Sequence, residues 1–171
     1  RTYGNSLKSD LPIYLEIKGR HLERTFKKRT SIDSKHIELF LNSEKNSKLL
    51  EIYPNNTIIN DFVFDSIKKK IKPCVLIDYK RRPYINNFGL YFRLTFDSNI
   101  VSSKSKILFS NEKNSTPLEC RSGYTILEVK FNRSIPAWFH RIIQSYSLTR
   151  RSISKFVLGV CTCKLEQETS E

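Results

Sequence analysis

The segment ILEVKF at residues 126–131 is central to the fold of this chain, because apolar and charged side chains alternate along it. Successive side chains of a β-strand point to opposite faces, so the segment would place leucine and valine on one face and Glu128 and Lys130 on the other. The segment FRLTFD at residues 92–97 alternates in the same way. Both segments predict strands with one apolar face and one charged face.

Similar patterns elsewhere in the chain predict more strands. Two segments, LPIYLEIK and ERTFKKRTS, are rich in β-branched and aromatic residues, and the GRH between them predicts a hairpin turn. A further strand, CVLIDYKRR, follows Pro73, and a turn-forming PYINNFG separates it from the next strand. The predicted strands cover residues 11–18, 23–31, 74–82, 90–96 and 124–131.

Other segments have the apolar spacing of helices. The predicted helices cover about 33–52, 58–70 and 136–146. Ser34 is a candidate N-cap of the first helix, and Pro136 suits the first position of the third. The segment 152–163 fits either a helix or a strand. Several antiparallel strands with three or four helices, and no βαβ alternation, predict the α+β class.

The chain carries a large positive charge for its size. Lys and Arg total 30 against 17 Asp and Glu among 171 residues, which gives a formal net charge of +13. Apolar residues make up 39% of the chain, enough to form a core, so a disordered basic tail is excluded. No apolar run approaches the roughly 18–20 residues that would span a bilayer. Such an excess of charge is typical of proteins that bind a polyanion, which could be nucleic acid, an anionic membrane surface or a phosphate compound.

The cysteines and the first residue give information on the compartment in which the protein is expected to lie. Cys74, Cys120, Cys161 and Cys163 lack the paired spacing of a zinc site, and the three histidines are distant from them in sequence. Reduced, packed thiols are therefore expected, as in a cytoplasmic protein. The chain begins at Arg1 and contains no methionine, so we expect the start of the translated protein to lie upstream, where a targeting segment could have been removed.

The charged faces of the strands carry mostly basic residues at alternate positions. On any one strand of a sheet that packs its apolar face on a core, such a face is usually just solvated. Five strands with the same pattern make a merely solvated face a weaker explanation. If the sheet closes into a barrel, the charged faces can line a channel, with helices outside. Such a channel would hold many positive charges at close range, and it suits phosphate oxygens, which Arg binds in bidentate fashion.

Three carboxylates alternate with these bases. Glu16 and Glu128 could neutralise the bases or hold a divalent cation through oxygen. Asp97 follows Arg93 and Thr95 on one strand face, and it could equally form a salt bridge or contact a metal.

Eight short segments occur in an order that resembles a known family. They are RTYG (1–4), YLEIK (14–18), FKKR (26–29), YKR (79–81), FRLTFD (92–97), ILEVKF (126–131), IPAWF (135–139) and SKF (154–156). Together they resemble the VTC-type polyphosphate polymerase domain, within the triphosphate tunnel metalloenzyme (CYTH-like) superfamily. The resemblance extends over nearly the whole chain.

The resemblance implies a fold and its boundaries. The family fold is an antiparallel β-tunnel, a closed barrel with a basic interior that is walled by helices. We expect one such domain over residues 1–163 and a flexible tail over residues 164–171. Because the family has further strands before RTYG, we expect those opening strands to lie upstream of Arg1.

The resemblance also implies an enzyme and its partners. Polymerase members of the family are phosphotransferases that move the terminal phosphate of ATP or another nucleoside triphosphate onto inorganic polyphosphate, with Mn²⁺ or Mg²⁺ as cofactor. Nucleic acid is not the expected partner, because the aromatic residues lie mostly on the apolar strand faces, opposite the bases. Two alternatives stay open: a triphosphate or polyphosphate hydrolase of the same fold, and a non-catalytic polyphosphate-binding module.

Carried over position by position, the resemblance implies the site residues. The implied catalytic residues are Lys18, Arg81, Arg93 and Lys130. The implied substrate-binding residues are Arg1, Lys27, Arg29, Tyr79, Ser154 and Lys155. Glu128 matches the metal-binding carboxylate of the family.

Overall fold

The computed structural model describes residues 1–3, 11–22, 24–86, 91–109 and 116–165. The chain divides into two compact units. The first unit comprises Arg1–Cys74 and Ser105–Asn111, and the second comprises Val75–Lys104 and Glu112–Glu171. Each unit has its own sheet and its own helices.

The first unit is built on an antiparallel hairpin. Its strands are β1 (Ile13–His21) and β2 (Arg24–Ile32), which pair along their full lengths. The register places Glu16 opposite Arg29 and Lys18 opposite Lys27, so these four side chains share one face. The predicted hairpin and its alternating faces are therefore confirmed.

The predicted GRH turn is wrong, because Gly19, Arg20 and His21 belong to β1 and pair with β2. The strand ends at His21, and Leu22 follows with a φ of +54°. Gly19 is needed for another reason: a Cβ at this position would overlap the ring of Phe26, which lies opposite it. The glycine allows an aromatic side chain to approach the backbone closely.

Three helices and one 3₁₀ turn follow the hairpin. They are the 3₁₀ turn Ser34–His36, α1 (Ile37–Leu41), α2 (Lys48–Ile52) and α3 (Thr57–Lys69). The single helix predicted over about 33–52 is wrong, because the chain turns at Asn42, whose side chain accepts a hydrogen bond from the amide of Glu44. The N-cap is Asp33 rather than Ser34.

Helix α3 matches the helix that was predicted over about 58–70. The side chain of Asn56 caps its start by accepting hydrogen bonds from two amides of the first turn. The helix ends because Lys70 adopts the left-handed conformation, with a φ of +51°. Pro73 therefore lies beyond the end of the helix.

The core of the first unit lies between these helices and the apolar face of the hairpin. Leu49, Ile59 and Val63 are fully or almost fully buried. Leu15 and Ile32, one from each strand of the hairpin, pack against this cluster. The charged face of the hairpin is therefore directed away from this core.

The second unit contains a four-stranded antiparallel sheet. Its strands are β3 (Val75–Ile85), β4 (Phe92–Lys104), β5 (Leu118–Glu119) and β6 (Ile126–Phe131). Strand β4 pairs with all three others, with β3 along one side and with β5 and β6 along the other. The strands predicted over 74–82, 90–96 and 124–131 are confirmed, with different ends.

Strands β3 and β4 extend beyond their predicted ends. Strand β3 continues past Pro83, which is tolerated because β3 pairs only with β4 among the described residues. Strand β4 continues to Lys104 through a polar stretch that lay outside the predicted strand. The continuation contains Asn99, with a φ of +52°, beside a shift in register between Asp78 and Lys80 of β3. Because of this irregularity, the residues that share one face of β4 are no longer two positions apart in the sequence, so the strand pattern is interrupted.

Helix α4 (Ala137–Ser145) packs against Phe92 at the start of β4, on the apolar face of this sheet, and confirms the helix predicted over about 136–146. Pro136 is its N-cap rather than its first helical residue. The ring of Phe139 lies 5.1 Å from the ring of Phe92, a residue of β4, with the two planes inclined at 64°. Aromatic packing of this kind holds the helix on the sheet.

Helix α5 (Lys155–Thr162) settles the ambiguous segment 152–163 as a helix. It packs on the opposite face of the sheet, through Gly159. A Cβ on Gly159 would lie 3.0 Å from the side chain of Ile77 and 3.3 Å from that of Ser102. A small residue is therefore required for the helix to lie this close to the strands.

The two sheets and their helices confirm the α+β class with antiparallel strand pairing. Within the described ranges, no helix is long and apolar enough to cross a membrane. Part of the predicted PYINNFG turn lies in β3, and its residues 87–89, with the first residue of the strand predicted over 90–96, fall outside the described residues. Most of the predicted tail, residues 166–171, is outside them as well. The single domain over 1–163 stays a prediction.

We expect Leu49→Ala to lower the free energy of unfolding by about 2–5 kcal/mol, because it truncates a side chain that is 0% exposed. Leu50→Ala is the matched control, since the adjacent leucine is 41% exposed and its truncation should cost less than about 1 kcal/mol. Chemical denaturation followed by circular dichroism measures both. Equal destabilisation by the two variants would contradict this placement of the core.

Candidate functional site

The face of the four-stranded sheet opposite α4 brings acidic and basic residues together from three strands. Arg81 of β3 lies opposite Asp97 of β4. Glu128 and Lys130 alternate along β6, and Lys130 lies opposite Arg93 of β4. These side chains share a face because alternate residues of each strand point the same way.

Asp97 is the buried centre of this face, with no exposed surface. The guanidinium of Arg81 binds it in bidentate fashion, with Nε 2.7 Å from Oδ1 and Nη2 2.7 Å from Oδ2. The Nζ of Lys155 lies 2.6 Å from the same Oδ2. Two cations from different elements thus converge on one carboxylate.

Glu128 extends this network along β6. Its Oε2 lies 3.3 Å from Nη2 of Arg81, and its Oε1 lies 3.2 Å from Nζ of Lys130. Its side chain is about one-third exposed, whereas that of Asp97 is fully buried. Arg81 contacts both carboxylates and so joins the three strands into one charged network.

The start of α5 positions the lysine of this network. The Oγ of Ser154 accepts a hydrogen bond from the amide of Val157 at 3.3 Å and caps the helix. Lys155 is the first residue of that helix. The ring of Tyr79 lies beside both cations, 5.3 Å from Cζ of Arg81 and 5.1 Å from Nζ of Lys155, within the range of cation–π attraction.

Arg93 lies on the same face but is not engaged in the network. Its Nε is buried and has no hydrogen-bond acceptor among the residues that the structure describes. A buried donor without an acceptor is costly, and most such groups in proteins have a partner. The surroundings of Arg93 therefore suit an anionic ligand.

The ionisation of the two carboxylates is set by their basic neighbours. Burial alone would raise the pKa of Asp97, but hydrogen bonds from Arg81 and Lys155 outweigh it and hold that pKa below its usual value. Burial likewise opposes the charged form of Glu128, whose pKa is held low by Lys130 and Arg81. In return, the hydrogen bond to Asp97 raises the pKa of the Arg81 guanidinium. Both carboxylates are therefore ionised at neutral pH.

The hairpin of the first unit carries a second cluster of the same kind. The side chain of Glu16 is 6% exposed, and its Oε1 lies 2.7 Å from Nζ of Lys27. Burial would raise the pKa of Glu16, but the close ion pair with Lys27 holds it below its usual value. The guanidinium of Arg29 also lies over the Tyr14 ring, 3.7 Å from its centroid. Longer ion pairs of 3.8–4.0 Å join Glu16 to Lys18, Arg29 and Arg1.

The structure thus places the predicted site residues in two clusters, one in each unit. The cluster of the second unit contains Tyr79, Arg81, Arg93, Glu128, Lys130, Ser154 and Lys155. The cluster of the first unit contains Arg1, Lys18, Lys27 and Arg29. Their roles toward a ligand stay predictions.

Asp97 is the residue whose role the sequence left open. The alternation in FRLTFD placed it on the correct face, with a salt bridge and a metal contact as equal possibilities. The structure shows a salt bridge to two cations. Lys155 lies 58 positions later in the sequence than Asp97, so no local pattern could have paired them.

The acidic side chains of the site are too few to hold a divalent cation by themselves. In the part of the chain that the structure describes, no three His, Cys, Asp or Glu side chains converge. Mg²⁺ is commonly bound by one or two carboxylates together with phosphate oxygens and water. Glu128 is a single and partly exposed carboxylate among basic side chains, so it would fit a metal only if other ligands, such as phosphate oxygens, completed the coordination.

We expect the free energy of unfolding to fall as the pH drops below about 4, because the three carboxylates with lowered pKa stabilise the fold only while ionised. Their contribution is present above the pKa of the unfolded chain and is lost as the pH falls through the lower pKa of the folded state. Thermal unfolding between about pH 7 and pH 3 measures this dependence. Asp97→Asn should cost about 1–3 kcal/mol at neutral pH and weaken the acid dependence. An unchanged acid dependence in this variant would contradict the assignment.

A comparison with models of known protein families identifies the family of this chain. A family model described as the VTC domain matches residues 1–164 and so covers both clusters. A comparison with curated proteins gave no match. Since the family model covers nearly the whole chain, the chain belongs to the VTC domain family.

Proposed function

We propose that this protein is a polyphosphate polymerase, a phosphotransferase that moves the terminal phosphate of a nucleoside triphosphate onto a polyphosphate chain. The observation that carries the proposal is the charged face of the second unit, where three cations contact two carboxylates and a fourth cation, Arg93, lies on the same face, in a chain of the VTC domain family. Its cations are Arg81, Arg93, Lys130 and Lys155. This surplus of positive charge favours the binding of phosphate oxygens.

The cations differ in how they are held, and this difference suggests their roles. Arg81 and Lys155 are fixed by Asp97 and suit the positioning of a phosphate. Arg93 has a buried donor without an acceptor and suits a direct contact with substrate. We assign Lys130 and Lys18 to stabilising charge on the triphosphate. The remaining contacts with substrate are assigned to Arg1, Lys27, Arg29, Tyr79 and Ser154.

The transfer itself requires little covalent chemistry from the protein. An oxygen of the terminal phosphate of the polymer attacks the γ-phosphorus and forms a new P–O–P bond. The bond from the γ-phosphorus to the oxygen that bridges it to the β-phosphate breaks, and the nucleoside diphosphate leaves with that oxygen. The attacking oxygen is already ionised, so no general base is needed. Arg81, Arg93 and Lys130 offset the charge that spreads over the phosphoryl oxygens.

Glu128 is the residue that would hold Mn²⁺ or Mg²⁺ together with phosphate oxygens. Such an ion, when bound, neutralises phosphate charge as a Lewis acid. The neighbouring Lys130 and Arg81 hold the pKa of Glu128 low despite its burial, so the carboxylate is in the ionised form that a metal requires.

The proposal includes the closed β-tunnel with a basic interior. Helices α1–α3 in the first unit and α4 in the second pack on the apolar strand face, and the basic residues lie on the opposite face, where α5 also packs on the second sheet. In a tunnel of the family type, such basic faces line the interior.

A nucleic-acid partner is disfavoured, because Phe92, Trp138 and Phe139 pack edge-to-face against one another and are thereby engaged in the fold. The cytoplasmic location is also part of the proposal.

We expect the full chain, incubated with ATP and Mn²⁺, to form inorganic polyphosphate. Arg93→Ala should lower the rate about 100-fold, because it removes a donor aimed at transition-state charge. The variant should fold normally, since the Nε of Arg93 makes no hydrogen bond to the described residues. Arg121→Ala is the matched control, because it removes an exposed arginine of the same unit. Gel electrophoresis of the polymer and release of nucleoside diphosphate measure the reaction.

The products of this assay decide among the three functions of the fold. Polymer together with nucleoside diphosphate supports the polymerase. Release of orthophosphate without polymer would replace it with a hydrolase. Binding of polyphosphate without turnover, or equal rates for Arg93→Ala and Arg121→Ala, would overturn the catalytic assignment.

A further inference from the structure

We infer that Asp97 is a positioning residue that fixes Arg81 and Lys155 in their phosphate-binding geometry before substrate arrives. The inference rests on the proposed function, because it assigns a role within the same phosphate site. It concerns a carboxylate that has no contact with substrate in the mechanism above. Asp97 is also a costly residue to place there, since a fully buried negative charge opposes the approach of a polyanion.

Three elements of the second unit meet at this carboxylate. Asp97 lies on β4, Arg81 on the adjacent β3 and Lys155 at the start of α5. The three contacts are short, between 2.6 and 2.7 Å, and two of them form a bidentate guanidinium–carboxylate pair. The carboxylate therefore fixes both the direction of the guanidinium and the position of the ammonium group.

The geometry also determines which hydrogens of Arg81 can reach a phosphate. Its Nε and Nη2 donate to Asp97, and Nη2 also contacts Glu128 at 3.3 Å. A guanidinium has five N–H groups, so the two on Nη1 are left for a ligand. Lys155 uses one of its three donors on Asp97 and can direct the others to the same phosphate.

Pre-positioning and simple neutralisation of charge predict opposite results for the removal of the carboxylate. If Asp97 only neutralised its neighbours, Asp97→Asn would make the site more positive and tripolyphosphate would bind more tightly. If Asp97 positions them, the amide cannot accept the bidentate pair, and both cations lose their fixed geometry. The affinity then falls although the positive charge of the site increases.

The test measures binding of inorganic tripolyphosphate to the full chain by isothermal titration calorimetry, without turnover. We expect Asp97→Asn to bind about tenfold more weakly than wild type, because charge-assisted hydrogen bonds are lost. Ser102→Ala is the matched control, since Ser102 is 1% exposed, lies on the same strand and contacts Cys163 next to α5. It perturbs packing between strand and helix but should leave the affinity unchanged.

The outcomes separate this inference from the proposed function. If Arg81→Ala and Lys155→Ala bind tripolyphosphate as wild type does, the phosphate site itself is refuted. If both bind weakly while Asp97→Asn binds as tightly as wild type or more tightly, only the positioning role is refuted. A tenfold loss in Ser102→Ala would also refute it, because the effect would then be one of general packing.

A measurement on the wild-type protein keeps the inference testable if Asp97→Asn does not fold. The Nε–H resonance of Arg81 can be assigned in nuclear magnetic resonance spectra by its loss in Arg81→Lys. We expect this proton to exchange slowly with water before ligand is added and to stay protected with tripolyphosphate bound. Fast exchange without ligand, or loss of protection on binding, would overturn the assignment.

Discussion

The bidentate ion pair between Arg81 and the buried Asp97 is the interaction on which the candidate site depends. It joins β3 to the central strand β4 of the second unit, and Lys155 at the start of α5 binds the same carboxylate. A buried carboxylate is stable only when it is well paired, and these contacts provide that pairing. The same pairing holds two cations at fixed positions while substrate is absent. The cohesion of the site and the phosphate recognition that we propose thus depend on the same carboxylate.

The first unit uses the same physical solution with different residues. Glu16 is almost fully buried on β1, and Lys27 contacts it from the neighbouring strand. Arg29 is held between this carboxylate and the Tyr14 ring. In both units a strand face crowded with bases contains a buried acid that reduces their mutual repulsion and restricts their motion. The net charge of +13 is therefore organised locally and is more than a uniform basic surface.

Sequence patterns predicted the elements well where alternation is regular and poorly where it is interrupted. The strands around ILEVKF and FRLTFD were identified because each has a clear apolar face. The second half of β4 was missed because it is polar and contains a bulge at Asn99, and pairing with β3 stabilises it despite low strand propensity. The helix predicted over about 33–52 was too long, since a turn at Asn42 overrides the apolar periodicity.

The sequence by itself determined the class of fold and the alternation of charged and apolar side chains along the strands, because strand periodicity and residue type are local properties. It also supplied the family resemblance, which the family model supports. Only the tertiary structure decided which acid pairs with which base. Asp97 and Lys155 meet because α5 packs on the sheet through Gly159, and such a contact depends on the packing of distant segments. The roles within the site follow from that pairing, since burial and hydrogen bonds set both the ionisation and the geometry of each group.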